Sequence, residues 1–448
     1  MERRTKVVEK KEERTEKIRF QFDPHIELDF EGGQISSDTG LLLYREFEEK
    51  MGLMDLVKAN ISFKRPYRIH SNTDCIRQQV YSLLGDHEDN NDAEYTKEDP
   101  TMKKIVGKEE LGSQPTLCRF ENSFEEENIA QLQKVNSLFL DRAYQIEPME
   151  EMIVDLDSSD DTVYGNQIGA AYNTYYKDKI FHPLFCFEGK TGDCLKADLR
   201  PGTDYDSQKV GDFLKPILKK YKEKKINLKF RGDSEFAIPE IYRLCEDEET
   251  KAEYFIRLRI NDVLERLYEE NKDKMQVDQE NQNIRYGEFF YQAGSWEKAR
   301  RVLVKEEKKP DELFPEVYFV VTNSEATSPK EGIEFYCDRG TAENYLKEGK
   351  LGFHWDRLSC EQFHVNACRL QIMVLAYNLN NLMRRLCLPE NFRKYRIETL
   401  RSRLIKVGSK VSKHARKFAF HCPKSFPFKE IFLWILKAIQ RLVLVPVS

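Results

Sequence analysis

The chain has 448 residues, of which 40% are hydrophobic, 12% aromatic and 33% charged, with a formal net charge of −5. The apolar share is ample for burial and the charged share suits a soluble protein, and no apolar run approaches the length of a bilayer span. At this length two to four structural units are expected.

The opening, MERRTKVVEKKEERTEKIRF, lacks the apolar core of a signal peptide, so a cytoplasmic, nucleoid-associated location with no membrane contact is expected. Residues 1–30 read as a mobile charged arm. Residues 31–148 read as a helical, DNA-binding domain. TGLLLYREFEEKMGL and DCIRQQVYSLLG carry apolar residues at helical spacing, GDHEDNNDAEYTKEDPT reads as a polar connector, and SQPTLCRFENSFEEENIAQLQKVNSLFL reads as one capped amphipathic helix.

The texture changes near Met149. EEMIVDLDSS predicts a strand, KIFHPLFCFEGKTGDCLKADLRPG a hairpin turning at Gly-Lys-Thr-Gly-Asp, and SQKVGDFLKPILKKYKEK a helix. KINLKFRGDSEF, PEIYRLCEDEE and AEYFIRLRIN then predict strand, helix and strand. Three successive strands followed by helix, strand, helix, strand is the order of a ribonuclease H-like fold, a mixed α/β sheet with helices on its faces. Residues 149–261 and 316–390 are assigned to that core. Between them, residues 262–315 (RYGEFFYQAGSW and ARRVLVKEE) read as a β-rich insertion outside the sheet. RGTAENYLKEGKLGF and CEQFHVNACRLQIMVLAYNLNNLMRRL predict two helices, the second apolar enough to be buried.

Residues 391–448 are expected to form a basic helical C-terminus. Between Arg393 and Arg441 fourteen Lys or Arg face only Glu398 and Glu430, a local charge of +12 that makes the rest of the chain acidic. Such a concentration is an electrostatic footprint for phosphates. The ten cysteines form no CxxC pair, and neither Cys186/Cys194 nor Cys360/Cys368 has zinc-knuckle spacing, so reduced thiols are expected.

The acids carry the chemistry. Asp155 and Asp157 alternate on one strand and so share a face. Asp157 closes that strand before Ser158 and Ser159, and Asp233 closes the strand INLKF before Ser234. Carboxylates at strand ends mark a ligand crevice in folds of this kind, although aspartates also end strands as turn formers. Downstream, Tyr336, Arg339, Glu343 and Lys350 follow Y-x2-R-x3-E-x6-K. Arg339, Glu343, Lys347 and Lys350 recur at helical spacing and share one helix face.

These residues resemble the signature of DDE transposases from bacterial insertion sequences. SSDTGLLLYREF, DHEDNNDAEYTKEDP, SQPTLCRFENS, VDLDSSDDTVYGNQIGAAYN, LRPGTDYDS, RGDSEF and YCDRGTAENYLKE extend the resemblance over residues 30–420. Glu235 departs from it, standing where related sequences carry a small residue after Asp-Ser.

The resemblance implies that Asp157, Asp233 and Glu343 are catalytic and bind two Mg²⁺ ions, with Mn²⁺ able to substitute. In-line attack on a phosphodiester uses one ion for the nucleophile and one for the leaving oxygen, and carboxylates without His or Cys suit Mg²⁺ better than zinc. Asp155 is the alternative first ligand. Tyr336, Arg339, Lys347 and Lys350 are expected at DNA phosphates near the cut. Trp296, with Arg300 and Arg301, is the candidate for stacking on a flipped base. Arg401, Arg403, Lys406, Lys410, Lys413, Arg416 and Lys417 are expected to grip DNA.

The implied activity is cleavage at terminal inverted repeats and joining of 3′-hydroxyl ends to target DNA. The partners would be double-stranded DNA and a second copy of the chain, because two element ends must be held together. A nuclease of the same fold without strand transfer, and a domesticated DNA-binding protein that no longer cuts, are the alternatives.

Overall fold

The computed structural model describes residues 18–444 except 65–68, 175–176, 205–208, 311, 313 and 416. Most of the expected N-terminal arm, residues 1–17, and Arg416 therefore lie outside the described residues. No described helix is long and apolar enough to cross a membrane.

The centre is a nine-stranded mixed sheet. Its strands are β1 (Glu151–Ser158), β2 (Leu184–Glu188), β3 (Cys194–Asp198), β4 (Asn227–Gly232), β5 (Glu253–Leu258), β6 (Gln276–Val277), β7 (Ile284–Tyr291), β8 (Arg300–Glu307) and β9 (Glu316–Thr322). They lie in the order β6-β7-β8-β9-β5-β4-β1-β2-β3. β1, β2 and β3 form an antiparallel meander, and β4 and β5 then join parallel to β1. This is the ribonuclease H-like arrangement that the element order predicts. The helix Val210–Glu223 makes the crossover into β4, burying Val210, Phe213, Leu214, Ile217, Leu218 and Tyr221 at helical spacing. Met152 through Leu156 are all buried, as expected of a central strand covered on both faces.

The helix Phe363–Cys387 is buried along nearly its whole length. It carries asparagines because β3 is an edge strand whose backbone needs partners away from water. Asn378 accepts from the Cys194 amide at 2.9 Å and donates to the Cys194 carbonyl at 2.9 Å, while Gln371 and Gln133 both donate to the Ala197 carbonyl, at 3.0 and 2.9 Å. Side-chain amides thus stand in for a missing tenth strand.

Four expectations are corrected. β7 and β8 do not stand outside the sheet. β9 pairs with β5 on one side and with β8 on the other, so the hairpin extends the core sheet from an otherwise open edge. The stretch 114–146 is two helices, Gln114–Glu121 and Glu126–Ile146, because Glu125 and Asn128 form a reciprocal cap that starts the second. The polar connector contains the short helix Ala93–Thr96, and its end starts the helix Pro100–Val106, capped by Asp99. The C-terminal region is not wholly helical. Ser409–His414 and Lys417–His421 form a hairpin whose first strand also pairs with Ile35–Ser36, and only then does the helix Lys429–Arg441 follow. Gly408 and the alternation through Val411, Phe418 and Phe420 favour strands there.

One buried ion pair fixes the register of β1 and β4. Arg231, paired across from Asp155, donates to both of its carboxylate oxygens at 2.7 Å and to the Phe335 carbonyl at 2.7 Å. Asp155 is 0% exposed and Arg231 2%. Asp155→Ala would strand a buried guanidinium and is expected to lower the unfolding free energy by about 3–5 kcal/mol, whereas Asp155→Leu with Arg231→Met should recover most of that loss. Urea denaturation of the three proteins checks this, and a loss under about 1 kcal/mol in the single variant would contradict it.

Candidate active site

β1 and β4 are parallel neighbours, so residues ending them emerge side by side at one edge of the sheet. Asp157 is the penultimate residue of β1, and Asp233 follows directly on β4, where its carboxylate caps the 3₁₀ turn Ser234–Phe236 by accepting from the Glu235 amide at 2.9 Å. The chain thus delivers two carboxylates to one place by topology alone.

Between them stands Arg339. Its Nη2 lies 3.2 Å from Oδ1 of Asp157 and 3.6 Å from Oδ2 of Asp233, and it also donates to the Leu156 carbonyl at 3.0 Å. The guanidinium is largely buried, and its Nε has no hydrogen-bond partner among the described residues. Glu343 follows one helical turn later, exposed in the first turn of Gly340–Phe353, where the helix dipole favours an acid.

Asp157 senses the other two acids. Burial pushes the Asp157 carboxyl up to about 6; Arg339 pulls it down, while the charges of Asp233 and Glu343 push it higher. Tyr336 is also raised, first by burial, with Arg339 and Arg257 opposing and Asp233 adding.

The helix read from RGTAENYLKEGKLGF is present as Gly340–Phe353. Tyr336 ends the helix Pro329–Cys337, and Arg339 is the N-cap residue of the next. Lys350 turns away from Glu343 to donate to the Asp160 carbonyl at 2.8 Å and to pair with Asp161 at 3.4 Å, holding the turn after β1. Lys347 remains exposed on the same helix. Asp155, the alternative ligand, is consumed by Arg231. Glu235 is turned aside into an ion pair with Arg259.

The remaining expected residues scatter. Trp296 is 6% exposed, edge-on to Tyr242 and Tyr291 with ring centroids at 5.1 and 5.2 Å, so its ring packs the far end of the sheet and is not open to a base. Arg300 is buried against Glu246 and Tyr254, and Arg301 is tied to Glu288 and to the carbonyls of Ser324 and Thr327. Arg401 is 4% exposed and donates to the carbonyls of Leu83, Leu84 and Gly352, clamping two helix ends together. Arg403 stacks on Tyr395, with its guanidinium carbon 4.3 Å from the ring centroid, and Lys406 pairs with Asp38 at 3.1 Å. Lys410, Lys413 and Lys417 lie exposed on the C-terminal hairpin.

In kind, this donor set suits a hard divalent cation: carboxylates from three elements, with no His or Cys. In position, a guanidinium already supplies the positive charge between the two aspartates. Among the described residues no three His, Cys, Asp or Glu side chains are close enough to hold one ion. The acids therefore suit a divalent cation in kind, while Arg339 occupies the position between the two aspartates.

A family model described as "Transposase DDE domain group 1" matches residues 18–444. The chain belongs to that family of DDE transposases. No curated protein matches this family member by sequence. Among solved structures it is similar to a piggyBac transposase synaptic complex with hairpin DNA, at 12% identity and a TM-score of 0.41, covering 97% of this chain and 89% of that one.

A carboxyl raised in the folded state stabilises the fold fully below its unfolded pKa, and that contribution is lost as pH rises through the folded value. For Asp157 the window runs from 3.8 to about 6. Asp157→Asn, neutral throughout, should therefore gain stability over the parent as pH rises across that window, by up to about 3 kcal/mol. Parallel melting curves from pH 4 to 7.5 check this; a difference that does not grow with pH would contradict it.

Proposed function

We propose that this chain is the transposase of a bacterial insertion sequence. It cleaves double-stranded DNA at the element's terminal inverted repeats and joins the freed 3′-hydroxyls to target DNA. The observation that supports this most directly is the convergence of Asp157 and Asp233 on Arg339, with Glu343 one turn beyond, in a chain whose family carries DDE chemistry.

Asp157, Asp233 and Glu343 would hold divalent cations, Mg²⁺ by preference with Mn²⁺ able to substitute. Bound there, the cations would supply Lewis-acid polarisation of the phosphate and a more acidic nucleophile. The protein's own residues do the rest. The parallel strands hold Asp157 and Asp233 at a fixed separation, and the buried Asp155–Arg231 pair beneath them resists shear between those strands. Arg339, once released from the aspartates, is placed to meet a phosphate oxygen of the strand being cut, where a guanidinium binds well. Lys350 steadies the turn after Asp157, which keeps the carboxylate facing the cleft. Action as a homodimer in the DNA complex follows from the need to hold two ends at once.

An assay with labelled element ends and a supercoiled target tests the reading. Asp157→Asn, Asp233→Asn and Glu343→Gln are each expected to lower both cleavage and end joining on the order of 10³-fold, with DNA affinity nearly unchanged. Cleavage without any joined product from pre-cut ends would leave only a nuclease. Full activity in Glu343→Gln would remove that residue from the mechanism.

A further inference from the structure

A cleft of about 500 Å³ lies on the far side of the helix Gly340–Phe353 from Lys350, between that helix, the β2–β3 turn and the segment following the long buried helix. Apart from Lys190, which pairs with Glu151 at 2.9 Å, its cations fall into two classes. Arg384 and Arg385 form the floor and are neutralised in place. Arg384 donates to both oxygens of Glu348 at 3.0 and 2.9 Å, and Arg385 pairs with Asp193 at 2.9 Å. Such pairs hold structure and leave little charge for a ligand.

The rim differs. Arg393, Lys394 and Arg396 are exposed, and among the described residues no carboxylate lies within ion-pair distance of any of them. Arg393 is oriented by donating to the Leu388 carbonyl at 2.9 Å. Arg396 is oriented by donating to Oδ1 of Asn344 at 2.9 Å, and Asn344 is the residue after Glu343. Three unneutralised cations on one concave rim repel one another, and two are aimed by neutral acceptors that leave their charge intact. An anionic ligand with several charges spaced along it relieves that repulsion; a single small anion relieves only part of it.

We infer that this cleft is a track for the phosphate backbone of duplex DNA, entered over Asn344 from the catalytic edge, with Arg393, Lys394 and Arg396 as its phosphate contacts. The inference rests on the reading of the chain as a DNA-cutting enzyme and adds a location that reading does not specify. Of the cations in the C-terminal region, Arg401 is buried and Lys406 is paired, whereas these three, like Lys410, Lys413 and Lys417 on the hairpin, are exposed.

The test is the salt dependence of duplex binding by the full chain. Each phosphate contact contributes about 0.9 to the slope of log affinity against log salt. The triple variant Arg393→Ala, Lys394→Ala, Arg396→Ala should flatten that slope by roughly 2 to 3 and weaken binding on the order of 10-fold or more at moderate salt. The charge-preserving set Arg393→Lys, Lys394→Arg, Arg396→Lys should keep the parental slope. Removing the same charge elsewhere, with Lys215→Ala, Lys219→Ala and Lys222→Ala, should change the slope by less than about 1. An alanine triple with the parent's slope and affinity would overturn the cleft while leaving the catalytic reading standing. A parent chain with no affinity for duplex DNA would overturn both.

Discussion

Two carboxylates delivered to neighbouring strand ends repel each other, and the site depends on a cation between them. In this structure the cation is Arg339, reaching Asp157 and Asp233 from the start of a helix that also carries Glu343. The raised Asp157 carboxyl records the strain: burial and two nearby acids push it up, and one guanidinium does not pull it all the way back. Any ligand that brings positive charge to the strand ends competes with Arg339 for the same oxygens, and any ligand that brings negative charge draws Arg339 away. A divalent cation and a phosphodiester together do both, so the same residue is placed to respond to the two components of the reaction.

The fold makes this possible at little cost in conformational freedom. Parallel pairing of β1 and β4 fixes the two aspartates relative to each other, and the buried Asp155–Arg231 pair locks the register one step below. The amides of Asn378, Gln371 and Gln133 close the sheet edge at β3, so the meander does not fray. Only the third acid comes from outside the sheet, on the helix Gly340–Phe353.

Much of the core was legible because local pattern and global fold agree. Apolar runs ending in Asp157 and Asp233 read as strands, and the order of strands and helices led to the ribonuclease H-like sheet. The start of the helix carrying Glu343 was legible as well, since RGTAENYLKEGKLGF reads as a helix and Gly340–Phe353 forms one. The partners of Arg339 and Arg401 were hidden. A buried arginine looks in sequence like a surface one, and the carbonyls of Leu83 and Gly352 that hold Arg401 lie far away along the chain. Trp296 suffered the same fate, its neighbours Tyr242 and Tyr291 coming from separate elements. The β7–β8 hairpin was placed outside the sheet because its charged exposed face masked the buried alternate residues that bind it to β9.

Anomalous diffraction from crystals soaked with Mn²⁺ tests the central claim most directly. The account predicts anomalous density at the strand ends, bounded by Asp157, Asp233 and Glu343, with the Arg339 guanidinium withdrawn from between the aspartates. Mn²⁺ absent from that position at saturating concentration, with Arg339 still bridging Asp157 and Asp233, would contradict it.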